Sequence, residues 1–278
     1  MKLLIINRKR IIRSVVCLAM LILTTTILST SLNKIAPVNA SERKIPIYCV
    51  KQDKKVVSIS FDAAWGNEQT QTLLDILKEN NVKSTFFLVG SWVDKYPESV
   101  KAIADAGHDV GNHSNNHDHM TQKSLSQIAD DTKACNEKIE ALTGKCPTLY
   151  RPPYGDYNND VVEGVNSCDM YCVQWDVDSL DWKDPTPEQM VERIRSKISN
   201  GSIILMHNGA KNTPEALPMI IKAIREEGYE IVPISEILLE GKYATDHEGR
   251  MYCVDNTDTD TSTDSTQSTK EKEKSKTN

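Results

Sequence analysis

The apolar positions of this chain repeat at two spacings that alternate along its length. A short β-branched run at 56–61 has strand character, and 69–79 puts Leu73, Leu74 and Leu77 on one face of a helix. Residues 84–89 predict a second strand, and 98–106 a helix that Gly107 ends. A third strand is expected at 108–112. Leu125, Ile128, Cys135, Ile139 and Leu142 then recur at helical spacing over 124–142, with Gly144 as terminator. A short extended stretch at 148–151, a short helix at 160–167 and a strand at 171–175 follow. Thr186-Pro187-Glu188-Gln189 is a helix start, with Thr as N-cap, Pro in the first turn and Gln three residues after the cap. The last expected elements are a strand at 202–206, a helix at 217–227, a strand at 229–232 and a helix at 234–239. Strands and helices alternating at this pace imply an α/β fold, a mainly parallel sheet or barrel of about seven strands. In such folds chemistry gathers in loops beyond the C-terminal ends of the strands.

Both ends of the chain fall outside this alternation. Arg8-Lys9-Arg10 and Arg13 precede an apolar run at 15–28, and Val38-Asn39-Ala40 offers small residues for cleavage. Residues 1–40 are read as an export signal, or as an uncleaved membrane anchor, since 15–32 is just long enough to span a bilayer. Residues 255–278 hold no aromatic and no aliphatic side chain, so a disordered polar tail is expected there. Between these ends a main domain at 55–240 is flanked by short extensions at 41–54 and 241–254. With 39% hydrophobic and 26% charged residues, the chain is not wholly disordered, collagen-like or multi-spanning. The net charge of −6 conceals an asymmetry: the first 40 residues carry six basic side chains and no acidic one. The rest holds 27 basic against 39 acidic residues, a balance of −12. An acidic, exported body argues against nucleic acid as its partner. The expected protein is monomeric and extracellular or cell-wall associated, with a membrane tether if the signal stays. Six cysteines remain outside the signal. Cys49 and Cys253, in the similar strings Ile47-Tyr48-Cys49-Val50 and Met251-Tyr252-Cys253-Val254, are expected to pair and tie the ends together.

The unusual residues lie at the strand ends. They are Phe61-Asp62-Ala63-Ala64-Trp65-Gly66, His113-Ser114-Asn115-Asn116-His117, Arg151-Pro152-Pro153-Tyr154-Gly155, Asp178-Ser179-Leu180-Asp181-Trp182 and Leu205-Met206-His207-Asn208-Gly209. His-x-x-x-His spacing suits a divalent metal, although alone it is a weak signal. Taken singly, each feature also has an ordinary structural explanation as a cap, a turn or a core histidine. Five of them at successive strand ends are hard to explain as independent accidents. One parallel architecture would bring Asp62, His113, His117, Arg151, Asp181 and His207 to one mouth. No serine or cysteine stands in a nucleophile's arrangement, so a covalent acyl-enzyme is not expected.

These five motifs, in this order over 55–240, resemble the polysaccharide deacetylases of the NodB-homology type, carbohydrate esterase family 4. The Phe-Asp-x-x-Trp-Gly form of the first motif looks most like the sporulation-associated, cell-wall branch. The resemblance implies a distorted (β/α) barrel that hydrolyses N-acetyl groups of amino sugars in a polysaccharide, peptidoglycan above all. It implies Asp62 as general base held by Arg151, His113 and His117 as ligands of a divalent metal, usually zinc, and His207 as general acid paired with Asp181. It also implies an oxyanion donor at the Tyr154 N–H, and Trp182 and Leu205 around the acetyl methyl.

The family's first motif commonly carries a second Asp as third metal ligand. Here that position is Ala63, which cannot ligate. Asp118 or His119 could substitute, or the metal could be absent. The usual Asp after the last motif's His is replaced by Asn208. The loss at Ala63 motivates an alternative, a glycan-binding pseudoenzyme. An O-acetyl esterase acting on acetylated xylan and a structural wall component are further alternatives.

Overall fold

The computed structural model describes residues 42–254, together with 9, 12 and 15–21. Most of the expected signal and the whole polar tail at 255–278 lie outside the described residues. The chain divides into two units, Met1–Glu42 and Arg43–Asn278. Residues 15–21 of the first are helical. Among the described residues, no helix is long and apolar enough to cross a membrane.

The second unit contains strands β1 (Cys49–Val50), β2 (Val56–Ala63), β3 (Thr85–Leu88), β4 (Asp109–Asn112), β5 (Leu149–Tyr150), β6 (Tyr171–Cys172), β7 (Val177–Asp178), β8 (Ile203–His207), β9 (Glu230–Ile231), β10 (Tyr243–Thr245) and β11 (Arg250–Cys253). Its helices are α1 (Thr70–Glu79), α2 (Gly90–Lys95), α3 (Pro97–Asp105), α4 (Leu125–Thr143), α5 (Asn159–Asn166), α6 (Pro187–Arg195), α7 (Thr213–Glu226) and α8 (Ile234–Ile237). The main sheet runs β6-β5-β4-β3-β2-β8-β7, with β9 added beside β2, and all its pairs are parallel. This is the expected distorted barrel of about seven strands.

Strand β2 shows why the sheet curls around a polar interior. Val57, Ile59, Phe61 and Ala63 join one apolar cluster with residues of the surrounding helices, such as Leu73 and Leu77 of α1 and Ile220 and Ile224 of α7. The alternate residues Ser58, Ser60 and Asp62 are equally buried but polar, because successive strand side chains take opposite faces. Ser58 and Ser60 satisfy their hydroxyls by donating to the carbonyls of Val232 and Ile204. A second apolar cluster of Ile47, Val50, Phe87, Val173, Ile203, Ile234 and Met251 fills another part of the interior.

Edge strands β6 and β7 do not pair with each other. The chain ahead of β2 lies across the opening. Ile47 donates its N–H to Cys172 and accepts from Gln174, and Val50 donates to Gly201 just before β8. Strand β1 then pairs parallel with β11, which forms an antiparallel hairpin with β10.

The structure corrects the expected Cys49–Cys253 bridge: both thiols are free. The β1–β11 register sets Cys49 opposite Arg250, three residues short of Cys253, which pairs with Tyr243 instead. Three strand residues span roughly 10 Å, beyond the reach of a disulfide. The expected capping box at Thr186 and Gln189 is present, as is the left-handed Gly144 that ends α4. Helix α7 begins four residues earlier than its apolar spacing suggests, with Pro214 in its first turn and Pro218 inside it.

His108, just ahead of β4, is buried, and its Nδ1 accepts the Ser84 N–H at 3.1 Å. Burial, with help from Lys83, pushes its pKa from an ordinary 6.5 to about 4. The unfolded chain therefore binds more protons between these values. The contribution of His108 to stability is complete above about pH 6.5 and is lost as the pH falls through about 4. Replacing His108 with Gln should flatten the pH dependence of urea-unfolding stability in this window, by up to about 1.4 kcal/mol per pH unit.

Candidate active site

Parallel register assembles the site. Strands β2 and β8 pair with Asp62 directly opposite His207. Strands β4 and β5 pair through Asn112 and Tyr150, so the next residues, His113 and Arg151, leave neighbouring strands together. Strand β7 sets Asp178 opposite Leu205, and Asp181 and Trp182 follow in a short 3₁₀ turn.

Arg151 is fully buried. Its Nη1 donates to Asp62 Oδ1 at 2.7 Å, and Nη2 donates to Ser60 Oγ at 2.9 Å and to the Gln174 carbonyl at 3.1 Å. The guanidinium lies 4.0 Å over the Phe87 ring. Burial alone would raise the Asp62 pKa, but the Arg151 charge outweighs it and holds the carboxyl below the usual range. Asp62 is thus an ionised, oriented carboxylate.

His113 is buried, with Nδ1 2.8 Å from the Arg151 carbonyl oxygen. A carbonyl only accepts, so the ring proton sits on Nδ1 and Nε2 carries the lone pair. Burial lowers the pKa of both imidazoles, that of His117 to about 4, and both are neutral near pH 7. The two rings are 4.9 Å apart. His113 Nε2 faces Asp62 Oδ2 at 3.4 Å, so a lone pair confronts a carboxylate oxygen. The two imidazoles offer a divalent cation a pair of neutral nitrogen donors, one of them fixed in tautomer through its other nitrogen, without a third ligand among the described residues.

His207 is held from the other side. Its Nδ1 lies 2.7 Å from Asp181 Oδ1, and its N–H donates to Asp181 Oδ2 at 2.7 Å. Thr213 donates to the same oxygen at 2.8 Å. Burial disfavours the imidazolium, but the Asp181 hydrogen bond and charge prevail, and the His207 pKa is raised. Leu205 is buried one strand alternation below His207, whereas Trp182 and Tyr154 are exposed. Tyr154, at φ 61°, sets its ring 4.5 Å from His117 and 4.3 Å from His119.

Comparison with known proteins decides the family. Residues 50–173 match the polysaccharide deacetylase family model. The peptidoglycan-N-acetylmuramic acid deacetylase PdaA of Bacillus subtilis is 30% identical over 203 residues, 72% of this chain and 77% of PdaA. The chain belongs to the polysaccharide deacetylase family. The uncharacterised protein YlxY of B. subtilis is 38% identical over 195 residues, 70% of this chain but only 61% of YlxY. Among solved structures, BA3943 of Bacillus anthracis, a carbohydrate esterase family 4 pseudoenzyme, superposes with a TM-score of 0.68 at 38% identity, over 75% of this chain and 72% of that one.

Against other members of the deacetylase family, the departures at Ala63 and Asn208 have structural consequences. Ala63 is fully buried in the apolar cluster. Neither expected substitute replaces it. Asp118 pairs with Lys123 at 2.9 Å, and His119 stacks on Tyr154 with its Nδ1 3.4 Å from Asp156. Among the described residues, no group of three His, Cys, Asp or Glu could hold a metal. Asn208 is buried, and its amide donates to Thr70 Oγ1 at 3.1 Å and to the Gly66 carbonyl at 3.4 Å. A carboxylate there could donate to neither.

Sequence reasoning missed the layer behind the histidines. Asn112 is buried, donates to the Thr132 carbonyl and Asn136 Oδ1, and accepts the Ser114 N–H at 2.7 Å. Asp131 accepts the Asn115 N–H at 2.9 Å, and Ser114 Oγ accepts that of His117 at 2.9 Å. Ser114, His117, Tyr154 and Leu180 hold positive φ in these loops, where sites commonly store backbone strain. Gly90 donates to the Ser114 carbonyl at 3.0 Å, and a Cβ there would collide with Asn115 Oδ1 and lie 3.0 Å from the Asn115 carbonyl oxygen. Gly90→Ala should displace the loop. Zinc affinity measured by calorimetry should drop about tenfold while the circular dichroism spectrum is kept.

Proposed function

We propose that this protein hydrolyses N-acetyl groups from the amino sugars of a cell-wall polysaccharide, peptidoglycan above all, outside the cytoplasm. The observation that carries the reading is the opposition of Asp62 and His207 on paired strands, with their pKa values pushed in opposite directions by Arg151 and Asp181. A carboxylate held ionised beside an imidazole whose protonated form is favoured is an acid–base pair for one reaction. An amide supports this assignment better than an ester, because its leaving nitrogen must be protonated.

His113 and His117 are the residues to hold a divalent cation, zinc above all, which when bound eases the ionisation of water and polarises a carbonyl. Asp62 takes the proton from the attacking water, with Arg151 fixing its orientation. The Tyr154 N–H donates to the developing oxyanion. His207, its Nδ1 held by Asp181, presents Nε2 to the departing nitrogen. Leu205 and Trp182 shape the pocket for the acetyl methyl.

Asp62→Asn and His207→Ala should each lower acetate release from N-acetylated glycan by about two orders of magnitude or more. Asp62→Asn should also cost about 3 kcal/mol of stability, because it leaves the buried Arg151 uncompensated. Asp181→Asn should move the alkaline limb of the pH–rate profile downward, since Asp181 is what raises His207. Near-normal release from either of the first two variants would remove that residue from the mechanism.

The missing carboxylate at Ala63 favours a second reading, a glycan-binding pseudoenzyme, and the similar structure BA3943 is a pseudoenzyme of carbohydrate esterase family 4. Two nitrogen ligands without a third predict substoichiometric metal in the purified protein and none in His113→Ala, measured by mass spectrometry. Glycan binding without acetate release, at any added zinc or cobalt concentration, would establish the second reading.

A further inference from the structure

Trp65 stands beside the acid and has no part in the chemistry assigned above. Its side chain is large and apolar, yet 45% exposed. Its ring lies 5.0 Å from the His207 imidazole, tilted by 31°. The backbone around it is built to hold it there. Gly66, at φ 65°, turns the chain, and its carbonyl accepts from Trp92 Nε1 at 2.7 Å and from Asn208 at 3.4 Å. Gly209 leaves the space beneath: a Cβ there would come within 2.6 Å of the Trp65 carbonyl oxygen, 2.7 Å of Nε1 and 2.8 Å of Cδ1. Single exposed apolar residues are common, but this one is anchored by residues of two other segments.

The reaction fixes what must pass over the indole. With Nδ1 of His207 committed to Asp181, Nε2 faces the nitrogen that leaves. That nitrogen is bonded to the sugar ring, and the acetyl methyl lies on the other side of the carbonyl carbon. The sugar therefore occupies the His207 side of the scissile bond, which is the side Trp65 walls. A pyranose presents a flat face of C–H groups, and an indole presents a broad apolar face with little conformational freedom to lose.

The geometry points to Trp65 as a positioning platform for the glycan: its indole packs on the pyranose ring that bears the scissile amide and sets the nitrogen at His207. The inference rests on the deacetylase reading above. It is tested with the full chain as wild type, Trp65→Phe and Trp65→Ala. Each is titrated calorimetrically with a soluble N-acetylglucosamine tetramer, and kcat and KM are measured on the same oligomer. Trp65→Ala should weaken binding and raise KM about tenfold, with Trp65→Phe in between, while kcat changes little. Equal affinity and KM in wild type and Trp65→Ala would overturn the platform and leave the deacetylase reading standing. A fall in kcat alone would also overturn it, because the indole would then act on His207 and not on the sugar. No binding of the tetramer by wild type would overturn the platform and the glycan reading together.

Discussion

A guanidinium buried in the middle of a curled sheet is the constraint on which this structure turns. Arg151 is among the largest fully buried side chains of the described residues. Removing a cation from water is tolerated only when partners compensate it. Here the compensation comes from Asp62, Ser60, the Gln174 carbonyl and the face of Phe87. Those groups belong to β2, β3 and the chain after β6, so one charge ties separate parts of the sheet together. The carboxylate proposed as the base is therefore also a structural one. Its ionisation is enforced by the fold, and the fold's interior depends on its ionisation.

The second carboxylate pair follows a different logic. Arg151 never gives up its proton in a protein, so Asp62 has a permanent counter-charge. His207 titrates, and Asp181 sets where. Two of the three contacts to Asp181 come from the His207 N–H and the Thr213 hydroxyl, which fix the carboxylate whatever the state of the imidazole ring. The imidazole can thus change charge while its partner stays in place. The histidine pair follows a third logic: burial keeps both rings neutral, and the Arg151 carbonyl sets the tautomer of His113.

Much of this was legible in the sequence, for a physical reason. Side-chain periodicity reports burial, and residues at strand ends of a parallel sheet must share one mouth, so Asp62, His113, Arg151, Asp181 and His207 could be grouped before any geometry was seen. What stayed hidden has no periodic signature. Strand β7 has two residues, too few to show alternation, and α2 has six. Asn112, Asp131 and Gly90 act through contacts with distant segments, which nothing in their local sequence announces. The Cys49–Cys253 pairing failed because similar strings do not fix register, and register decides whether two thiols can meet.

The segment lying across the gap in the sheet bears on the order of assembly. Residues 47–50 emerge early from any machine that delivers the chain N-terminus first, yet their hydrogen-bond partners are Cys172, Gln174 and Gly201, and β1 needs β11. Such contacts carry a high loop-closure cost and form late. During delivery the curled sheet remains open along one seam, with the apolar side chains of Ile47 and Val50 still unburied. Closure waits for β11, at residues 250–253, to arrive. Any factor that shields this early segment would act in that interval, and the finished barrel would retain no trace of it.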